Sequence, residues 1–107
     1  MIIREEERAK WLVYFLEGRL DALTCVELET ALSAGISNGG KNLIIDFEKL
    51  DYVSSAGLRV ILSIAKKINN VHGKFVLCTM CNEVREVFDM TGFSNIVPIK
   101  ATLDEAL

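Results

Sequence analysis

The feature that most constrains this chain is an alternation of period. Short apolar, β-rich runs of five to seven residues are separated by longer segments whose apolar residues recur every three or four positions. Lys10-Trp-Leu-Val-Tyr-Phe-Leu16 is the first clear run, with Glu17-Gly18-Arg19 as its exit. From Asp21 the period becomes helical, with Cys25, Leu28, Leu32 and Ile36 in step until Gly39-Gly40 closes the segment. Lys41-Asn-Leu-Ile-Ile-Asp-Phe47 is nearly continuous in apolar character, as a strand covered on both faces requires. A second helical segment spans about residues 55 to 70, carrying Leu58, Ile61, Leu62, Ile64, Ala65 and Ile68, and a turn at His72-Gly73 follows.

Lys74-Phe-Val-Leu-Cys78 reads as the next strand, and Asn82 to Phe88 as a helix with Asn82 as its cap and Gly92 as its stop. Ile96 to Ile99 reads as a last short strand, and Thr102-Leu-Asp-Glu105 fits a capping box. Met1 to Arg8 is read as an edge strand beside residues 10 to 16 with its charges outward. Strands alternating with helices imply an α/β fold with a mixed, mostly parallel sheet and about four helices. At 107 residues and 50% apolar, the chain is expected to form one domain over residues 1–107.

Composition narrows the partners. The formal charge is -3 and the basic residues are scattered, so no basic face awaits a phosphate backbone, and direct nucleic-acid binding is not expected. No run approaches the ~20 apolar residues of a membrane span, and the acidic start is unlike a signal peptide. A cytoplasmic protein without membrane insertion is expected. Three cysteines, an odd number without an export signal, suit a reducing compartment without disulfides.

The residues that attract chemistry are Ser54 and Ser55, set between an apolar strand and the second helix. Amide groups there lack intrahelical acceptors, so either hydroxyl can cap the helix, and capping is the ordinary role of a serine in that place. A phosphate at the same point would meet those amides and the positive end of the helix dipole, so modification need not unfold the helix. Gly57 leaves room for another chain's backbone or for a neighbouring strand. Asp46 and Asp51 make the approach acidic.

The segment Leu50-Asp-Tyr-Val-Ser-Ser-Ala-Gly-Leu-Arg-Val-Ile-Leu62 resembles the phosphorylation segment of STAS domains, the anti-sigma factor antagonists, where Asp-Ser-Ser-Gly-Leu or Asp-Ser-Thr-Gly-Leu opens a helix. Glu17-Gly-Arg-Leu-Asp21 is similar to that family's strand exit, and Val87-Phe-Asp-Met-Thr-Gly-Phe93 to its Leu-Phe-Asp-Met-Ser-Gly-Leu helix end. Order and spacing are kept over nearly the whole chain. Aligned on Gly57-Leu58, Ser55 falls on the family's phosphoacceptor, Ser54 on its aspartate and Ala56 on its second Ser or Thr. Ser54 is the alternative acceptor.

The resemblance implies partner switching. The unmodified protein would bind an anti-sigma factor that is also a serine kinase, phosphorylation of Ser55 would end the complex, and a serine phosphatase would reset it. ATP would belong to the partner, so neither a cofactor nor an enzymatic activity is expected of this chain. Asp21, Ser54, Ser55, Gly57, Leu58 and Arg59 would form the partner surface, with Asp21 assisting from the neighbouring loop. Helix capping is the ordinary alternative for Asp21, and a solvated helix position for Arg59. The second reading is a STAS-like module that binds a small ligand or serves as a constitutive subunit, for instance of a transporter assembly, without phosphorylation.

Other signals point elsewhere only weakly. Cys78-Thr-Met-Cys81 is a CxxC at a strand-to-helix junction, yet Cys78 continues an apolar strand and no second CxxC completes a zinc site. His72 is the only histidine, which leaves a hydrolytic triad unsupported. Asp46 reads as a strand-end residue ordering the next loop, and Trp11 and Phe15 share one strand face as core residues.

Overall fold

A computed structural model describes residues 1–107. Its five strands form one sheet in the order β1-β2-β3-β4-β5: Ile2–Arg8, Trp11–Leu20, Asn42–Val53, Lys74–Cys78 and Ile99–Lys100. The β1–β2 pair is antiparallel and the other three pairs are parallel. The helices are α1 (Thr24–Ser37), α2 (Ser55–Asn70), α3 (Asn82–Met90) and α4 (Leu103–Ala106), with a single 3-10 turn at Phe93–Asn95. The mixed, mostly parallel sheet and the four helices agree with the sequence reading.

The two faces of the sheet are filled unequally. Tyr14, Leu16, Leu43, Ile45, Phe47, Phe75 and Leu77 point to one side and join the stripes of α1, α2 and α3 in a single core. Strand order that follows chain order, with right-handed crossovers, puts these three helices on the same face. On the other face Trp11, Val13, Ile44 and Cys78 meet only the short α4, through Ala106 and Leu103. Phe15 lies on that face too, half-buried beneath the guanidinium of Arg4 at 4.4 Å from the ring centre and that of Arg8 at 5.7 Å. Arg4 and Arg8 stay in contact with solvent, as an edge strand with outward charges implies, while their guanidinium groups lie over the Phe15 ring.

Several boundaries differ from the sequence reading. β3 runs to Val53 rather than stopping at Phe47, and β2 runs through Glu17-Gly18-Arg19 to Leu20. Pairing passes from Phe15↔Asp46 to Glu17↔Lys49 and from Gly18↔Leu50 to Arg19↔Tyr52, so β3 gains one extra residue at each step. These two bulges turn Phe47, Leu50 and Val53 inward at a spacing of three, where an unbroken strand would alternate. Gly18 accommodates the irregularity with φ +116, a conformation costly for other residues. Asn82 is the first residue of α3 rather than its cap; Cys81 is the N-cap and makes no side-chain capping bond, its thiol donating instead to the Leu50 carbonyl at 4.0 Å. The last strand is Ile99–Lys100, not Ile96–Ile99, because the 3-10 turn carries the chain past Ile96 and Pro98 has no N–H to give β4. No helix is long and apolar enough to cross a membrane.

Candidate functional site

The start of α2 is locked to the end of β2. Ser54 is extended, with φ -90 and ψ 170, and its N–H donates to the Leu20 carbonyl at 2.8 Å. Its hydroxyl accepts from the Gly57 N–H at 3.1 Å, and its carbonyl accepts from the Leu58 N–H at 3.0 Å. Ser54 is thus the N-cap, the role that satisfies one of the free amides of a helix start. Ser55 is the first helical residue and is exposed. The adjacent serines are divided between a structural hydroxyl and an accessible one.

Gly57 is buried because nothing larger fits. A Cβ there would stand 2.7 Å from Leu20 Cγ, 2.8 Å from Leu20 Cδ2 and 3.2 Å from the Leu20 carbonyl oxygen. Its smallness serves packing against β2. Leu58 is likewise buried, part of the main core. Gly57 and Leu58 therefore support the surface from beneath, whereas Ser55 and Arg59 are presented to solvent.

Asp21 follows Leu20 directly and caps the turn into α1. Its Oδ1 accepts from the Thr24 N–H at 2.9 Å and the Leu23 N–H at 3.0 Å. In return the Asp21 N–H donates to the Thr24 hydroxyl at 2.9 Å, and that hydroxyl donates to the Arg19 carbonyl at 2.6 Å. The Thr24 amide foremost, then the Leu23 amide, the Thr24 hydroxyl and the Arg19 charge, hold the Asp21 carboxyl below the usual carboxylate range. Asp21 is thus a fixed negative charge at neutral pH, in a loop tied to the start of α2 through Leu20.

Around this point lie apolar side chains that the sequence reading did not single out. Leu23 is 84% exposed and Val26 60%, and Tyr52 is partly exposed under the Arg19 guanidinium, 4.2 Å from its ring centre. The available signal was phase: Leu23 and Val26 fall off the Cys25, Leu28, Leu32 stripe of α1.

Asp46 lies apart from the serines. It is buried on the opposite face of the sheet, where Oδ1 accepts from the Glu48 N–H at 2.9 Å and Oδ2 from the Thr79 hydroxyl at 3.1 Å. It orders the first β3 bulge and adds no charge to the serine surface, which Asp51, exposed on β3 itself, can still do. Cys78 is buried beside it, and burial first, then the Asp46 carboxylate, push its thiol up to about 11. A thiol held protonated is the reverse of a redox nucleophile. His72, exposed in the turn after α2, has φ 58.

The chain resembles known proteins over nearly its whole length. The family model described as the STAS domain matches residues 1–106. BtrV of Bordetella bronchiseptica, described as a candidate anti-sigma factor antagonist, is 39% identical over 95 residues, 89% of this chain and 82% of that protein. The anti-sigma-B factor antagonist of Listeria monocytogenes is 30% identical over 86 residues, 80% of this chain and 75% of that protein. Among solved structures, the anti-sigma factor antagonist SpoIIAA, a Bacillus cell fate determinant, is known in unphosphorylated and phosphorylated forms. Both forms match with a TM-score of 0.76 at 25% identity, covering 98% of this chain and 94% and 96% of theirs. The chain belongs to the STAS domain family, among relatives named as anti-sigma factor antagonists.

Proposed function

We propose that this protein is an anti-sigma factor antagonist that works by partner switching at Ser55. Unmodified, it binds an anti-sigma factor that is also a serine kinase and so frees the sigma factor. Within that complex the Ser55 hydroxyl attacks the γ-phosphorus of ATP held by the partner. An O–P bond forms at Ser55, the β–γ anhydride bond breaks, ADP leaves, and the hydroxyl proton passes to a base of the kinase. The phosphorylated protein dissociates, and a serine phosphatase returns it to the binding form by hydrolysis.

The observation that carries this reading is the division of labour between the serines. Ser54 is committed to capping α2, and Ser55 stands exposed one residue on, in a first turn whose amides and dipole tolerate negative charge. Asp21 and the exposed Leu23, Val26 and Tyr52 supply a charged and apolar surround of the kind that protein partners bury. The fold needs Ser54 more than Ser55, and a kinase can reach Ser55 more easily than Ser54.

Incubation with the cognate anti-sigma kinase and ATP is expected to add one phosphate, which peptide mass spectrometry places on Ser55. Ser54→Ala should lose about 1 kcal/mol of stability as a cap and still be phosphorylated, whereas Ser55→Ala should keep its stability and accept no phosphate. Modification of Ser55→Ala at the native rate would show that the acceptor lies elsewhere. No phosphate on any variant would favour the constitutive-subunit reading.

A further inference from the structure

We infer that the partner surface does not end at the start of α2 but continues along the helix into a basic apolar groove, which takes an acidic, apolar-bearing segment of the anti-sigma factor. This inference rests on the partner-switching reading for the identity of the partner, and on the observations below for the surface.

Residues 52–82 contain no Asp or Glu, although the chain carries 15 of them and has a formal charge of -3. The same stretch carries Arg59, Lys66, Lys67 and Lys74. The stretch therefore carries a net charge of +4 against -7 for the rest of the chain (8 basic minus 15 acidic residues), an excess that comes from the absence of carboxylates and not from a clustering of basic residues. Ser55, Arg59, Leu62, Lys66 and Asn69 follow one another at spacings of four and three, so they form a single stripe along α2. Ser55, Arg59, Lys66 and Asn69 are exposed and Leu62 is half-buried, so this stripe faces away from the core. From Ser55 to Asn69 it runs roughly 20 Å.

The lower end of the stripe opens into a groove of about 510 Å³ between α2, the first half of β4 and the Ile96–Pro98 segment. Leu62, Phe75, Val97 and Pro98 give it an apolar lining, Lys66 and Lys74 supply its charges, and no carboxylate lines it. One wall is an unpaired stretch of sheet edge: β5 pairs only with Leu77 and Cys78, leaving Lys74, Phe75 and Val76 without a neighbouring strand on that side, with Lys74 exposed, Val76 half-buried and Phe75 buried. Unpaired edges are sites where another chain can add.

Charge complementarity selects the occupant. An acidic segment meets repulsion from the net charge of the molecule as a whole and an excess of positive charge along this stretch, so the groove both draws the partner in and fixes its direction along α2. Apolar side chains of that segment fill the groove while its carboxylates meet Lys66 and Lys74. Phosphorylation then acts at the other end of the same stripe, adding close to two negative charges one helical turn from Arg59. The groove contact holds the partner's register, and the Ser55 end decides whether the complex persists.

The test is calorimetric titration of the full chain with the cognate anti-sigma factor, without ATP, at low and high salt. Lys66→Glu/Lys74→Glu is expected to weaken binding about ten-fold or more at low salt, with the deficit shrinking as salt screens the charges. Lys66→Ala/Lys74→Ala should weaken it less, and Lys10→Glu, the same charge change per site away from the groove, should leave it near native. Native affinity for Lys66→Glu/Lys74→Glu, or an equal loss for Lys10→Glu, overturns the groove. Ser55→Asp in the same series separates the two ideas. If it alone weakens binding, the groove falls and switching stands; if the groove variant alone weakens binding, the groove stands and switching falls. Absence of any complex with the native chain would overturn both.

Discussion

Ser55→Asp is expected to fold with native stability and to bind the anti-sigma factor about 100-fold more weakly than the native chain. The two halves of this result have separate causes. Within the chain, Ser55 occupies the first helical position, exposed, while the cap bond belongs to Ser54. A carboxylate there sits at the positive end of the α2 dipole, which favours it by about 0.3–1 kcal/mol. Across an interface the same carboxylate must lose water, and the exposed Arg59 one helical turn on offsets only part of that cost. Burying an incompletely paired charge costs several kcal/mol, and about 3 kcal/mol already corresponds to two decades of affinity. Aspartate carries less charge than a phosphate, so the phosphorylated chain should lose at least as much. Thermal unfolding by circular dichroism and titration calorimetry read the two halves independently.

Gly57→Val is expected to have the largest effect on the fold of any single change at the site, lowering stability by about 2–3 kcal/mol, at the upper end of the cost of overpacking. A Cβ at residue 57 would overlap Leu20 Cγ and Cδ2 at 2.7 and 2.8 Å, and Leu20 is fully buried, so its side chain has little room to retreat. Relief requires the first turn of α2 to lift from β2, which strains the bond from the Ser54 N–H to the Leu20 carbonyl. That movement carries Ser55 away from the Asp21 loop, so partner binding should fall beyond what lost stability explains. Gly57→Ala should cost less, because a smaller overlap is offset by up to about 1 kcal/mol of helix propensity. A graded series in urea, native above Ala above Val, is the expected outcome. An unchanged midpoint for Gly57→Val would mean that α2 is not seated on Leu20 as described.

Much of this architecture was legible because its elements obey a single period. α1 and α2 bury Cys25, Leu28, Leu32, Leu58, Ile61, Ile64 and Ile68, positions that the three-to-four spacing marks directly. β3 was legible only to Phe47, since its two bulges give Leu50 and Val53 a spacing that no regular strand has. The last strand was misplaced because Ile96 to Ile99 is apolar, yet Val97 enters the core from an irregular segment and only Ile99 joins the sheet. Apolar content alone does not distinguish these two ways of being buried.

At the site, the serine pair and Asp21 were legible, but their division of labour was not. Ser54 and Ser55 differ by one position along the chain, and only the direction of entry from Val53, fixed by the bond to Leu20, decides which hydroxyl turns back on the helix. Gly57 read equally well as an opening for a partner and as a packing glycine until Leu20 was seen against it. Asp46 read as part of an acidic surround because sequence proximity does not reveal the face of a sheet; one residue of register places it on the far side from α2.

The most direct measurement is titration of the anti-sigma factor with the native chain in two preparations, one unmodified and one carrying a single phosphate confirmed on Ser55. The account predicts a saturable one-to-one complex with the unmodified chain. For the phosphorylated chain it predicts affinity weaker by about 100-fold or more, with full recovery after treatment by a serine phosphatase. Equal affinity of the two preparations would contradict it.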